Sequence, residues 1–190
     1  MTLPMHDVVS SEREELILVD ENDRQVGTLQ KSQCHDGAGI LHRAFSVFVF
    51  DDRGRLLMQQ RSASKRLWPL YWSNSCCSHP RAGEDLEEAV ERRLEQELGL
   101  TCEPEFVFKF RYQVAFGDLG SEHELCSVYL GRVESAPRPN ANEIADTRFV
   151  TSAELSAAFA SAPERFTPWF RMEWDRLTTE HADRLGVYTG

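Results

Sequence analysis

Residues 44–61, AFSVFVFDDRGRLLMQQR, set two apolar runs on either side of DDRG, and any fold for this chain has to accommodate that hairpin. LILVD (16–20), the turn-rich ENDRQVG and TLQK predict another hairpin at the start. FVFKFRYQVAF (106–116) alternates over its first half, which puts Phe106, Phe108, Phe110 and Tyr112 on one face. EHELCSVYLGRV (122–133) follows as a strand, and DTRFV as a short one. Residues 62–83, rich in Ser, Pro, Trp and Gly, read as a long ordered loop, a length that usually carries function. GEDLEEAVERRLEQELGL (83–100) reads as a helix stopped by Gly99. Thr151 and Glu154 stand at capping-box spacing, and Thr167 precedes Pro168 as an N-cap precedes a first helical proline. Mixed, mostly antiparallel strands with one central helix and helices at the end predict an α+β fold. At 190 residues the chain suits one core better than two. A single domain over 1–190 is expected, with 1–14 as a flexible start.

Charge narrows the partners. The net charge of −10, from 31 acidic and 21 basic residues, argues against nucleic acid or an anionic membrane surface. Cys34, Cys76, Cys77, Cys102 and Cys126 form no disulfide-like framework. The opening MTLPMHDVVSSEREE lacks the basic-then-apolar order of a secretory signal, and no apolar run reaches membrane-spanning length. A cytoplasmic protein is expected, without membrane insertion, in which a cysteine is free, metal-bound or catalytic.

Chemistry-bearing residues stand out in four places. On a helical wheel Leu86, Ala89, Val90, Leu94 and Leu98 make an apolar arc, yet Arg93 and Glu97 fall inside it. They form either an internal salt bridge or a cavity-facing pair that holds an anion and a metal. His35, His42 and His79, with Glu122 and Glu124 on one strand face, are suitable donors for a divalent ion, but they are spread over three segments. His6, His123 and His181 read as solvent-exposed. In WSNSCCSHP (72–80), an extended chain turns Cys77 and His79 to one side and Cys76 to the other. Cys77 is then either a small buried apolar residue or a reactive thiol; Cys34, Cys102 and Cys126 read as structural. From Arg53 to Arg66 there are five basic residues and no acidic one, a solvated face or an anion site.

Together NSCCSHP, His35 and His42, RSASKRLWP, the 78–100 segment, RYQ, EHE and TPWF resemble the type I isopentenyl-diphosphate isomerases, a family of the Nudix-fold superfamily. The resemblance spans about residues 15–175 and keeps the family's motif order. It implies a Nudix-type domain of mixed β-sheets flanked by helices that converts isopentenyl to dimethylallyl diphosphate through a tertiary carbocation. It implies a divalent metal (Mn²⁺, Zn²⁺ or Mg²⁺) on His35, His42, His79, Glu122 and Glu124. It also implies a Mg²⁺ that bridges Glu97 to the diphosphate. Cys77 and Glu124 become the acid/base pair, assisted by Tyr112; Lys31, Arg61, Lys65 and Arg93 become the diphosphate contacts, and Trp169 an active-site tryptophan. The expected partner is a small diphosphate, and the expected state a monomer.

The Nudix signature itself is degraded. Aligned on Gly99, its opening glycine is Ser78, Glu84 and Arg92 fit, and its metal-binding glutamates fall at Arg93, Gln96 and Glu97. Two other readings remain: a Nudix pyrophosphohydrolase, which needs that carboxylate trio, and a non-catalytic metal-binding protein on the same scaffold.

Overall fold

The structure, a computed structural model, describes residues 7–190. Its strands are β1 (Glu15–Val19), β2 (Gln25–Gln30), β3 (His42–Phe50), β4 (Leu56–Arg61), β5 (Trp72–Ser73), β6 (Cys76–Ser78), β7 (Glu105–Ala115), β8 (Ser121–Arg132) and β9 (Ile144–Val150). The helices are α1 (Lys31–Cys34), α2 (Leu86–Leu98), α3 (Ser152–Ser161), α4 (Pro168–Thr179) and α5 (Ala182–Thr189). This is the expected α+β arrangement of mixed strands flanked by helices.

Strand β3 is the centre of the sheet. It pairs antiparallel with β1, β4 and β6 and parallel with β8, from His42 opposite Glu124 to Phe50 opposite Arg132. Its near-continuous apolar run follows from burial on both faces. Phe45, Val47 and Val49 share one core with Ala89, Val90, Leu94 and Leu98 of α2. Ala44, Phe48 and Phe50 share the other with Phe170, Trp174 and Leu177 of α4. Each fully buried Val, Leu or Phe among them contributes about 1.5–3 kcal/mol. Ser46, between Ala44 and Phe48, interrupts the α4-facing row with a hydroxyl.

Local signals account for most boundaries. Gly99, at φ 62°, ends α2, with its N–H on the Glu95 carbonyl. Thr151 and Glu154 form the predicted capping box at α3. Thr167 does precede α4, but its hydroxyl does not cap that helix. It meets Ser73 Oγ at 2.9 Å instead and so ties the helix start to β5.

Four other readings need correction. A bulge between Phe106 and Phe108 breaks the β7 alternation, so Phe106 is 45% exposed while Phe108, Phe110 and Tyr112 are buried. The loop at 62–83 contains β5 and β6, whose pairing is supplemented by side chains: Ser75 Oγ donates to the Leu57 carbonyl and accepts from Val49 N–H. His123 is half-buried, and His181 stacks on Phe108 at 4.8 Å; His6 lies outside the described residues. Of the start expected to be flexible, residues 7–14 are tied down: Val9 is buried and its carbonyl accepts from Arg93, while the Asp7 carbonyl accepts from Asn140.

Candidate metal centre and active site

The paired ends of β3 and β8 bring the histidine and glutamate donors together. His42 heads β3, Glu122 and Glu124 lie on β8, His79 follows β6, and His35 follows α1. Their ligand atoms all lie within 4.8 Å of one another, and the five side chains are buried or nearly so. His42 Nδ1 is 2.7 Å from the Ile40 carbonyl, which makes it the protonated nitrogen and turns the Nε2 lone pair inward. That Nε2 faces His79 Nε2 at 3.2 Å, and His79 Nε2 is 3.0 Å from Glu124 Oε1. His35 Nε2 and Glu122 Oε2 are 2.9 Å apart, yet neither buried atom has a hydrogen-bond partner.

Convergent imidazole nitrogens and carboxylate oxygens with two orphaned donor atoms fit a divalent cation. Burial, followed by the neighbouring His42, pushes His79 well below the ordinary imidazole range. For Glu122, burial is the largest effect and opposes ionisation, but His35 and His79 together hold the carboxyl below its usual value. The first favours the neutral imidazole that ligates a metal; in the second, Glu122 in turn raises the proton affinity of His35 against its burial, an ion pair that a bound cation would replace. His123, on the other face of β8, is not part of the cluster.

The pocket beside this cluster is lined by Lys31, Arg61, Lys65, Arg93, Cys77, Tyr112 and Trp169, among others. Tyr112 donates to Glu124 Oε2 at 2.6 Å. Cys77 Sγ donates to Asn74 Oδ1 at 2.7 Å and accepts from Trp169 Nε1 at 3.3 Å and Ser46 Oγ at 3.4 Å. Asn74 is fixed because its amide nitrogen bonds the Val47 and Cys76 carbonyls. Burial, with Glu173 next, pushes the Cys77 thiol up to about 12. Cys76 points the other way, buried in the α2-side core. Trp169 stacks on Tyr112 at 6.2 Å and stands edge-on to Trp68 at 5.1 Å.

The four cations expected at the diphosphate line the same pocket. Arg61 lies over Trp169 and donates to the Trp68 and Leu67 carbonyls, which braces the loop where Trp68 and Leu70 adopt positive φ. Lys31 bonds Ser10 Oγ at 2.6 Å, and burial, then Lys65, lowers its proton affinity. Arg93 and Glu97 do form a buried ion pair: Nε and Nη2 both reach Glu97 Oε1, at 2.9 and 2.5 Å. Glu143 completes this network by pairing with Lys65 and Arg93.

Glu143, Asn74, Ser46 and Glu173 escaped the sequence reading. Asn74 sits inside WSNSCCSHP, so a cap or acceptor role beside the thiol was within reach; for the other three no local pattern pointed to the site. The Glu84–Arg92 pair of the Nudix signature is present as a bidentate ion pair, at 2.6 and 2.8 Å.

Comparison with known proteins agrees with this geometry. The NUDIX domain family model matches residues 40–170. The chain is 42% identical over 174 residues to isopentenyl-diphosphate Delta-isomerase 1 of Photorhabdus laumondii, covering 90% of this chain and 99% of that one. It is 44% identical over 153 residues to the isopentenyl-diphosphate Delta-isomerase of Nocardia farcinica, covering 80% and 87%. Among solved structures, DR0079 from Deinococcus radiodurans superposes with a TM-score of 0.64 at 26% identity, over 78% of this chain and 90% of that one. The chain therefore belongs to the isopentenyl-diphosphate Delta-isomerase family, on a NUDIX domain.

Proposed function

We propose that the protein isomerises isopentenyl diphosphate to dimethylallyl diphosphate, with Cys77 and Glu124 as the acid/base pair. One observation carries the reading: a single pocket joins the Cys77 thiol, the Tyr112–Glu124 pair and the Trp169 ring to four cationic side chains. Moving the double bond requires a proton on the terminal methylene and removal of one from the carbon beside the diphosphate-bearing carbon.

Lys31, Arg61, Lys65 and Arg93 bind the diphosphate and so fix where the alkene lies; such orientation lowers a barrier by several kcal/mol. Glu124 is placed to carry a proton, with Tyr112 fixing its second oxygen. Cys77 is held as a thiol by the Asn74 acceptor and works from the other side of the substrate. The Trp169 face shelters the cationic intermediate, an attraction of up to ~2 kcal/mol where water is excluded. Buried aromatic walls keep water from trapping it.

A divalent ion, Mn²⁺, Zn²⁺ or Mg²⁺, held by His35, His42, His79, Glu122 and Glu124 would supply positive charge that tunes the acidity of Glu124. For a Mg²⁺ at the diphosphate the proposed ligand would be Glu97. No helix among the described residues is long and apolar enough to cross a membrane, in keeping with a small diphosphate as partner.

The hydrolase alternative needs three carboxylates where this chain has Arg93, Gln96 and Glu97. The test is incubation with isopentenyl diphosphate and Mg²⁺, followed by NMR, beside Cys77→Ala. Dimethylallyl diphosphate without phosphate release, lost in the variant, is the expected result. Phosphate release, or intact substrate from a folded, metal-loaded protein, would overturn the reading.

A further inference from the structure

Glu143, in the segment between β8 and β9, carries a buried charge that the proposed reaction does not use. Its Oε2 pairs with Lys65 and, at 3.5 Å, with Arg93. Lys65 and Arg93 line the pocket, whereas Glu143 is not among the lining residues. The segment that carries it is fixed to α2: Arg138 N–H donates to the Leu98 carbonyl at 2.7 Å, and Asn140 N–H to the Glu97 carbonyl at 2.8 Å. Glu143 N–H then bonds the Asn140 carbonyl at 2.9 Å, and the Glu143 carbonyl accepts from Ser62 N–H at 2.9 Å. Ser62 opens the turn in which Lys65 N–H reaches back to the Ser62 carbonyl at 3.2 Å. Backbone and side chain of one residue therefore dock the turn that presents Lys65.

The two cations depend on Glu143 unequally. Arg93 is also held by Glu97 Oε1, at 2.9 and 2.5 Å, and by the Val9 carbonyl. Lys65 has no other carboxylate within ion-pair distance among the described residues. Its ammonium is a compact charge on a flexible four-carbon stem, and its side chain is 22% exposed. Like charges crowd this part of the pocket: burial, then Lys65, lowers the proton affinity of Lys31, Arg93 adds to the effect, and Glu143 opposes it. Without a fixed counter-charge, that repulsion favours a Lys65 ammonium turned out to water.

We infer that Glu143 is a positioning residue: it holds the Lys65 ammonium at the pocket wall, beside Arg93, before a diphosphate arrives. This deepens the isomerase reading and rests on its diphosphate site. Burial opposes the charge on Glu143, but Lys65 and then Arg93 hold the carboxyl below its usual value. A lysine already immobilised has no ordering entropy left to lose when the anion binds. The carboxylate's own charge opposes an anion, but the two cations in contact with it offset that charge. The lost order outweighs the relieved repulsion, so removing the charge weakens diphosphate binding.

Two measurements test this. Titration calorimetry with inorganic pyrophosphate, in Mg²⁺ and on metal-loaded protein, compares wild type, Glu143→Gln, Lys65→Met and the double variant. Glu143→Gln should bind pyrophosphate about tenfold more weakly, the cost of immobilising one lysine afresh. Its KM for isopentenyl diphosphate should rise by about the same factor with kcat unchanged, because only binding is altered. Lys65→Met should weaken binding at least as much, and adding Glu143→Gln to it should weaken binding no further. A role in stability alone would lower Tm and leave pyrophosphate affinity intact. The second measurement is NMR of the ammonium groups, which are assignable because the sequence has three lysines, Lys31, Lys65 and Lys109. In ligand-free wild type the Lys65 ammonium should be ordered, with slowly exchanging protons; in Glu143→Gln it should be mobile.

Unchanged or tighter pyrophosphate binding in Glu143→Gln, additive losses in the double variant, or a mobile Lys65 in ligand-free wild type would overturn the inference. Should Glu143→Gln fail to fold, the wild-type ammonium spectrum and the affinity of Lys65→Met decide in its place: an ordered ammonium with weakened binding in Lys65→Met supports the inference, and any other pair of results overturns it. If wild type forms no dimethylallyl diphosphate, the isomerase reading falls, and pyrophosphate affinity alone decides the role of Glu143. If it binds no pyrophosphate either, this inference falls as well.

Discussion

His42 and Glu124 are register partners on the parallel strands β3 and β8, so one backbone ladder fixes two of the five candidate metal donors. Glu122 lies two residues earlier on β8, and His35 and His79 arrive from segments that pack against this pair. The donor set is thus held by the sheet before any ion binds, and its Nε2···Nε2 and carboxylate contacts are those a cation would relieve.

Metal removal should therefore lower stability as well as activity. An ion present at about a thousand times its dissociation constant adds about 4 kcal/mol to the folded state. For a chain of this size that corresponds to a fall of roughly 10 °C in Tm on chelation. Calorimetry before and after chelator, with metal content measured in parallel, checks it. An unchanged Tm after complete loss of metal would show that the cluster is not its site.

Gly120, in the turn between β7 and β8, has φ 145° and lies against the carbonyl oxygen of His35, where a Cβ would overlap that atom. Ser121 N–H donates to the same carbonyl at 3.0 Å. Gly120→Ala is expected to push His35 out of the cluster and weaken metal affinity about 10- to 100-fold, as losses of ligand support commonly do. Gly117→Ala, at a positive φ but with open space around it, is the control for backbone strain alone. Equal metal affinity in the two variants would contradict this coupling.

How much of this was legible beforehand depends on the range of the signal. The β3–β4 hairpin, α2 with its Gly99 stop and the Thr151 capping box are local, and the chain writes them plainly. Two-residue alternation separated Cys77 from Cys76 and set Glu122 and Glu124 apart from His123. It failed at Phe106 because a bulge adds a residue without altering the composition. The parallel pairing of β3 with β8 brings together His42 and Glu124 from far apart, and no periodicity encodes that contact; the motif resemblance supplied it. Glu143 and Glu173 were missed because their contacts are tertiary, with Lys65 and Arg93 in one case and Cys126 in the other.

The buried network around Arg93 makes a stability prediction. Burial works against its charge, but Glu97 and then Glu143 keep the guanidinium firmly protonated. Arg93→Met should cost about 3–5 kcal/mol because it strands the buried Glu97 carboxylate. Adding Glu97→Met to Arg93→Met should recover part of that loss, since an apolar pair of similar volume carries no unpaired charge. Denaturant unfolding of the two variants measures both steps. A double variant less stable than Arg93→Met would contradict the account.

Glu173 makes stability fall as pH rises over the range in which most carboxylates strengthen a fold. Its carboxyl sits at about 8 in the native protein against an ordinary 4.5, with burial as the main cause. Between those values the unfolded chain has released the proton while the native protein still holds it. The native state binds more protons there, so the contribution of Glu173 is fully present below 4.5 and is lost toward about 8. The slope is roughly 1.4 kcal/mol per pH unit across the window. Glu173→Gln removes this dependence. Its Tm relative to wild type should therefore climb steadily from about pH 5 to about pH 8, and thermal scans of both proteins at matched metal loading measure the difference. A constant difference across that range would mean that Glu173 is already ionised in the native protein.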